Sequence, residues 1–511
     1  MAASRAPGHT PSGALLVAGA SSGAGKSTVA AGLCRWFARR GATVAPFKAQ
    51  NMSNHSAVAV DGGEVGRAQA MQAAAAGVDV ETAMNPILLK PSSATGSHVV
   101  VLGREVGTTD AAGWGGQVAD LRGVVLDALR SLRERFDVVV AEGAGGAAEI
   151  NLLERDLVNL PLARAAGLPA LLVVDIERGG AFAAAHGTID LLPGPLRATV
   201  GGIVLNRFRG DTSLLGSGLH DLEARTGVPV LGVLPHLGPA PLLGTEDSLD
   251  VGHPAAEGGG SPDPVRVAAV RLPHLANPSD LDPLLAEPDV ALRWATRPGD
   301  LADVDLVVVP GSRATVADLA WLRRSGLADA VAAAARRGID VLGICAGQQV
   351  LGRRIVDEVE SRAGVVEALG LLDVETEFHD EKVVRRRTGR STDGYAVAGY
   401  QIHLGRARGG TPWLELDDVH GGPPEPEGSV EGRVRGTSLH GVLDADGLRG
   451  ALLGEVADCR GRTFRPHPTP FAARLDAQHD RLADWLDAHL DTDAVTALTG
   501  AALAPSEAPG W

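Results

Sequence analysis

Residues 19–28 read G-A-S-S-G-A-G-K-S-T and directly follow the apolar run Ala14–Ala18. A glycine-rich turn between a strand and a helix lets backbone N–H groups converge on phosphate oxygens, and the helix N-terminus adds the positive end of its dipole. Gly19, Gly23 and Gly25 would shape such a cradle, and Lys26 would reach the β- and γ-phosphates of ATP. Ser27 would offer its hydroxyl to Mg²⁺, and Thr28 completes the motif. The loop is one residue longer than the common G-x-x-x-x-G-K-[ST] spacing, because position 20 is Ala20 and the glycine is Gly19. Phosphoryl transfer also needs carboxylates to hold the metal ion. Glu142 ends the run V-V-V-A-E, where the carboxyl end of a strand meets the ligand crevice of an open α/β sheet. Asp61 in D-G-G-E-V-G-R is the second candidate, with Glu64 close behind it.

A different chemistry is written at residues 343–347, G-I-C-A-G, again directly after a strand-like run. A cysteine between small residues at a strand-to-helix turn is the thiol form of a nucleophile elbow, and the following helix N-terminus favours the thiolate. With Cys345 as nucleophile, the backbone N–H of Ala346 is a natural oxyanion donor, and Ser312 in the turn P-G-S-R is placed to offer a second. The thiol needs a base: His440 in G-T-S-L-H-G-V is the first candidate and His403 in Y-Q-I-H-L-G the second. A chain that activates a phosphate in one half and attacks an acyl group in the other reads as a glutamine-dependent amide-forming ligase.

These residues need rigid elements to hold them. Strand-like runs at Ala14–Ala18, Thr43–Phe47, Val138–Glu142, Ala170–Asp175 and Gly202–Asn206 alternate with helical stretches such as Ser27–Arg40 and Val118–Arg135. Such alternation predicts a mostly parallel sheet with helices on both faces. A second alternation has strands near Val265–Val270, Leu306–Val309 and Val341–Ile344. The expected organisation is a frayed N-terminus at 1–10, an ATP-dependent synthetase domain at 11–250, a Gly/Pro-rich linker at 251–264, a second α/β domain at 265–490 closed by an amphipathic helix, and a tail at 491–511. Glu415–Gly432 is acidic and proline-rich and reads as a surface loop, and the Arg385–Arg387 run reads as a solvated face.

Composition excludes several function classes. The formal net charge of −15 over 511 residues gives no overall attraction to nucleic acid or anionic lipid. Three widely spaced cysteines support neither a disulfide framework nor a thiolate zinc site. No apolar run approaches the roughly 20 residues of a membrane helix, so a cytoplasmic protein is expected. Oligomeric state has no signature in the chain.

The ordered blocks F-K-A-Q-N-M-S (47–53), D-G-G-E-V-G-R-A-Q (61–69), M-N-P-I-L-L-K-P (84–91), E-G-A-G-G-A-A-E-I-N-L (142–152), D-I-E-R-G-G-A-F-A (175–183) and G-Y-Q-I-H-L-G-R (399–406) resemble the cobyric acid synthases, the cobalamin-type branch of the glutamine amidotransferases. The resemblance implies an N-terminal dethiobiotin synthetase-like P-loop domain joined to a C-terminal class I, triad-type glutamine amidotransferase domain. It also implies ATP, Mg²⁺ and glutamine as reactants or cofactors and a corrinoid small molecule as acceptor. Four side-chain carboxylates of the acceptor, b, d, e and g, would become amides. The family's nucleophile falls on Cys345 and its histidine on His440. Asn51, Arg178, Tyr400 and His403 are the candidates for contact with substrate. In the wider triad class a glutamate stands two residues beyond the histidine; that position is Val442 here, which leaves the partner of the histidine open. The rival readings are the a,c-diamide synthases, which amidate two other carboxylates, a partitioning-type ATPase, and a scaffold with an inactive glutaminase. Retention of both Cys345 and His440 weighs against the last.

Overall fold

The structure is a computed structural model that describes residues 11–91, 96–238, 261–418, 421–501 and 503. It divides into two compact units, one of Met1–Ser53, Ala59–Leu249 and Asp476–Trp511, the other of Asn54–Val58 and Asp250–Leu475. Most of the linker expected at 251–264 lies outside the described residues, as does the N-terminal segment 1–10.

The first unit is built on a six-stranded sheet in which every pairing is parallel, in the order Val230–Pro235, Val200–Phe208, Ala170–Asp175, Gly13–Gly19, Val138–Glu142, Val44–Phe47. The four middle strands are runs of Val, Leu, Ile and Ala, almost wholly buried, as a parallel sheet covered on both faces requires. Gly13–Gly19 and Val138–Glu142 are neighbours, with Val17 opposite Glu142. That register brings the phosphate loop and the carboxylate to the same end of the sheet. The helix Lys26–Ala38 packs Val29, Leu33 and Phe37 into one face. A smaller sheet, Gln50–Met52, Ile87–Pro91, Gly96–Val101 and Arg104–Asp110, was not anticipated from the sequence.

The C-terminal segment departs from the expected boundaries. The amphipathic helix spans Phe471–His489, and from Asp476 onward the chain groups with the first unit. Leu482, Trp485, Leu486 and Leu490 bury against Leu33, Phe37 and Leu231. Trp36 Nε1 donates to Asp487 at 2.8 Å, and Arg35 pairs with Asp480 at 2.8 Å. The half-exposed ion pairs are worth at most about 1 kcal/mol each, whereas burying a large apolar side chain contributes roughly 1.5–3 kcal/mol, so apolar burial decides the grouping. Within the expected tail, Thr492–Gly500 is a helix capped by the Asp491 carboxylate on Ala494 N–H. Its residue Thr499 approaches Gly13 so closely that a Cβ on that glycine would stand 2.0 Å from the Thr499 carbonyl oxygen.

The second unit carries its own six-stranded sheet in the order Val290–Ala295, Val265–Val270, Leu306–Val309, Asp340–Ile344, Val434–Thr437, Ser429–Glu431, parallel except for the last pair. A long antiparallel hairpin, Glu375–Ser391 with Ala396–Arg408, forms the body of a further sheet. The segment 415–432 is not simply a surface loop: it holds strands Glu425–Glu427 and Ser429–Glu431, and it inserts Glu427 as the acceptor for Ser438 N–H at 2.7 Å and for the hydroxyls of Thr437 and Ser438. Its acidic residues are partly internal ligands of the backbone, which composition alone conceals. Among the described residues no helix is long and apolar enough to cross a membrane.

Candidate active site

In the first unit the phosphate loop joins Gly13–Gly19 to the helix that begins at Lys26. Gly23 and Gly25 hold φ of 68° and 97°, the left-handed region that side chains disfavour. At Gly25 the constraint is double, because a Cβ would stand 2.1 Å from Nδ2 of Asn206, which donates to the Ala24 carbonyl at 2.8 Å. Lys26 is fully buried, and its Nζ donates to the carbonyls of Ser21 at 3.2 Å and Gly145 at 3.0 Å. The ammonium therefore lies across the mouth of the turn, over the backbone that would wrap a phosphate. Thr28 follows in the first helical turn.

The hydroxyl of Ser27 donates to Glu142 Oε1 at 2.7 Å. The two groups expected on Mg²⁺ thus stand together, a hydroxyl and a carboxylate of the hard-oxygen type that ion prefers. Lys48 Nζ pairs with the same Glu142 oxygen at 3.0 Å, both side chains being inaccessible to solvent, and Gln72 donates to the other oxygen. Lys48 and Gln72 escaped the sequence reading: Lys48 lay inside the block F-K-A-Q-N-M-S, but nothing in its spacing pointed at Glu142. Asp61 is engaged elsewhere. Its carboxylate accepts from the Thr82 N–H at 3.2 Å and the Thr82 hydroxyl at 2.6 Å, capping the short helix Thr82–Met84, and no hydrogen bond joins it to Ser27 or Glu142 among the described residues. Glu64 pairs with Lys90 inside the unit. Asn51 is buried and donates to Gln69 at 3.1 Å, while Arg178 is exposed on the turn that follows Ala170–Asp175.

In the second unit Cys345 sits between the strand Asp340–Ile344 and the helix Ala346–Leu351, with φ 53° and ψ −110°. A non-glycine residue held there is strained, as the nucleophile of such an elbow is. The turn is possible because Gly347 lacks a side chain: a Cβ on it would stand 1.9 Å from the carbonyl oxygen of Val309. Cys345 N–H donates to Thr437 at 2.7 Å, and its thiol faces the Ile402 carbonyl at 3.9 Å. Ala346 opens the helix, where first-turn N–H groups have no partner within the helix.

The structure brings His440 beside Cys345: the imidazole ring and the cysteine side chain both stand against Gly311. It also supplies the partner that the sequence left open. Asp280, in the short helix Pro278–Leu281, accepts from His440 Nδ1 at 2.7 Å and from Gly441 N–H at 2.9 Å. Asp280, Cys345 and His440 thus form a carboxylate, thiol and imidazole series in that chain order. Burial works to lower the His440 pKa, but the Asp280 charge and the Cys345 contact outweigh it and hold the imidazolium up to about 10. Tyr400 stacks on the His440 ring, centroids 5.2 Å apart and planes 19° apart. The His403 Nδ1 is bonded to the Gly405 carbonyl at 2.7 Å, and burial leads the causes that hold its pKa down to about 4. The Ser312 hydroxyl is committed to Asp318 at 2.6 Å, and the residue of that turn abutting the site is Gly311, where a Cβ would stand 3.3 Å from His440 Cε1 and 3.8 Å from Cys345 Cβ. Of the other thiols, Cys34 is fully buried and pushed far above the usual thiol range by that burial and by the Glu142 charge, and Cys459 is exposed.

Residues 266–448 match the family model of the CobB/CobQ-like glutamine amidotransferase domain, and residues 15–238 match the CobQ/CobB/MinD/ParA nucleotide binding domain. The chain is 52% identical over 501 residues to a cobyric acid synthase of Nocardia farcinica, covering 94% of this chain and 96% of that one. This chain belongs to the cobyric acid synthase family. A cobyric acid synthase of Rhodococcus jostii is 51% identical over 497 residues, with 96% of both chains covered. As a member of that family the chain is an enzyme, a glutamine amidotransferase joined to a nucleotide-binding domain. Identity at this level over both domains sets it apart from a partitioning-type ATPase, which shares only the nucleotide-binding half.

Proposed function

We propose that this chain uses ATP and glutamine to amidate the b, d, e and g side-chain carboxylates of adenosylcobyrinic a,c-diamide, giving adenosylcobyric acid. The observation that carries the reading is the near-complete likeness to relatives named cobyric acid synthase, spanning the phosphate loop and the cysteine elbow alike. Cys345 attacks the amide carbon of glutamine; the C–S bond forms, the C–N bond breaks, and His440 gives the departing nitrogen its proton as ammonia leaves. Water then cleaves the thioester, with His440 as base, to release glutamate. The N–H of Ala346, in the first turn of its helix, would donate to the oxygen that becomes negative in both steps. In the other half Lys26 neutralises the phosphates while the acceptor carboxylate takes the γ-phosphoryl, and ammonia displaces phosphate from the acyl phosphate. Ser27 and Glu142 would hold Mg²⁺, which when bound neutralises charge developing on the phosphates. Lys48 and Gln72 fix the Glu142 carboxylate in that position.

Asp280 acts on the reaction through His440, as a positioning residue. Because the His440 pKa is raised, the stabilisation of its charged form is complete below the ordinary histidine range near 6.5 and is lost as pH rises through about 10. Asp280→Asn is expected to move the alkaline limb of glutamine-dependent activity to lower pH and to lower kcat about 10²-fold or more at pH 8, with ammonia-dependent synthesis kept. An alkaline limb unmoved in the variant would remove Asp280 from the site.

The reaction itself is tested by incubating the full chain with ATP, Mg²⁺, glutamine and adenosylcobyrinic a,c-diamide and following the corrinoid by mass spectrometry. Four successive carboxylate-to-amide conversions are expected. No change in this acceptor, with amidation of cobyrinic acid instead, would move the assignment to the a,c-diamide synthases.

A further inference from the structure

A short piece of the first half of the chain belongs to the second unit. The chain leaves the first unit after Ser53, contributes Asn54–Val58 to the second, and returns at Ala59. Within this excursion Ser56–Val58 is a strand, and all of it is buried. The strand packs beside Glu375–Ser391 and Ala396–Arg408, the two arms of the long hairpin. Glu375–Ser391 carries the Arg385–Arg387 run, which is not the solvated face its composition suggests, because Arg387 is 3% exposed. Ala396–Arg408 carries Tyr400, whose backbone N–H donates to the His440 carbonyl at 3.1 Å and whose carbonyl accepts from the His440 N–H at 2.9 Å. The excursion therefore lies against a strand that holds the backbone of His440.

It also holds the residue that precedes the Asp280 helix. The N–H of Ser56 donates to Asn277 Oδ1 at 3.0 Å in the interior of the unit. Asn277 is itself buried and takes φ 49° and ψ 53°, the left-handed region that asparagine tolerates better than most side chains. That conformation turns the chain between two supports of the site. Before the turn, Leu275–Ala276 pairs antiparallel with Gly311–Ser312, and Gly311 stands against the side chains of Cys345 and His440. After it, the helix Pro278–Leu281 begins, with the Asp280 N–H donating to the Asn277 carbonyl at 3.1 Å. A helix this short has no stability of its own, so what fixes its ends decides where it points. The contacts run from Ser56 through Asn277 and Asp280 to His440, and each of these residues is buried.

We propose that Asn277 is a positioning residue of the glutamine-hydrolysing site, and that through its bond to Ser56 the excursion 54–58 is part of the frame that aims Asp280 at His440. The inference rests on the amidotransferase reading, in which Asp280 orients the imidazole. Residues 54–58 lie outside the segment 266–448 matched by the amidotransferase family model and inside the segment 15–238 matched by the nucleotide-binding one. The aim of Asp280 thus depends on a piece of chain that the matched amidotransferase segment does not contain. Loss of the bond leaves a buried N–H without this acceptor and frees a short helix to turn. A carboxylate aimed wrongly acts on the rate of the step that uses His440, and leaves glutamine affinity alone.

The experiment uses the full-length protein with Asn277→Gly, which keeps the left-handed backbone and removes the acceptor. Glutamine-dependent kcat is expected to fall about 10-fold or more, with the glutamine KM within about 3-fold of its original value and ammonia-dependent amidation unchanged. The titratable groups that face His440 are Asp280, Cys345 and His403, and the substitution alters the aim of the first. The alkaline limb of glutamine-dependent activity is therefore expected to move to lower pH, as in Asp280→Asn but less far. Combining the two substitutions is expected to cost no more than Asp280→Asn alone, because both act on one contact. Asn277→Asp, which still offers an oxygen to the Ser56 N–H, is the second variant, expected to stay within about 3-fold of the original kcat. An unchanged kcat or an unmoved alkaline limb in Asn277→Gly, equal loss in Asn277→Asp, or full multiplication of the two losses in the double variant would overturn the proposal. So would a loss shared by the ammonia-dependent reaction, which marks a general defect of fold. The amidotransferase reading fails on a different result, glutamine-dependent synthesis that survives loss of Cys345.

Discussion

Cys345→Ala is expected to lower glutamine-dependent amidation by about 10⁴-fold or more and to leave amidation from concentrated ammonia near its original rate. The size follows from the role: a covalent nucleophile has no substitute once the sulfur is gone, and what remains is the contribution of binding and the oxyanion donors. The selectivity follows from the division of labour, since ammonia added directly bypasses thioester formation but still requires the acyl phosphate. The substitution removes one atom at a residue whose backbone is strained, φ 53° and ψ −110°, and the elbow geometry is held by Thr437 and by the close packing of Gly347 on Val309. The fold should therefore survive. Rates from paired assays with each nitrogen source check this. Equal loss with both sources would contradict the assignment of ammonia release to Cys345, and equal retention would place the nucleophile elsewhere.

What could be read before folding is what is local in sequence. The phosphate loop, the cysteine elbow and the core strands are short contiguous patterns whose physics is self-contained: glycine where φ is positive, apolar runs where both faces of a sheet are covered. Val138–Glu142, Ala170–Asp175, Val265–Val270 and Leu306–Val309 were bounded to the residue, because fully buried parallel strands begin and end where their apolar runs do. The histidine partner was not legible. Asp280 stands in N-P-S-D-L-D-P, one carboxylate among several in a proline-bounded turn, and only the fold brings it to His440. Lys48 and Gln72 reach Glu142 in the same non-local way. Two composition arguments failed for a shared reason. Arg387 and Glu427 are charged residues in charged stretches, and such residues default to solvent; here each is internal because hydrogen bonds or a charge partner offset its desolvation, and no window of composition reports a partner. The helix Thr492–Gly500 was missed because its weak apolar stripe, Val495 and Leu498, makes sense only against the surface it covers.

Lys26→Ala is expected to lower amidation at least about 10³-fold with either nitrogen source, the opposite selectivity from loss of the thiol. Activation of the acceptor precedes attack, so no supply of ammonia can compensate for a missing charge at the phosphates. The lysine is fully buried, with its ammonium on the Ser21 and Gly145 carbonyls, and truncation leaves those carbonyls without that donor. That costs about 1–3 kcal/mol of local stability, so loss of activity must be separated from loss of fold. The second unit supplies the control: in the proposed mechanism, hydrolysis of glutamine would use Cys345, His440 and Asp280, all in the other compact unit. A variant that still releases ammonia from glutamine but forms no amide, whichever nitrogen source is given, localises the defect to phosphate activation. Undiminished synthesis in Lys26→Ala would mean that the loop at residues 19–28 is not where ATP reacts, and the pairing of Ser27 with Glu142 would then need another purpose.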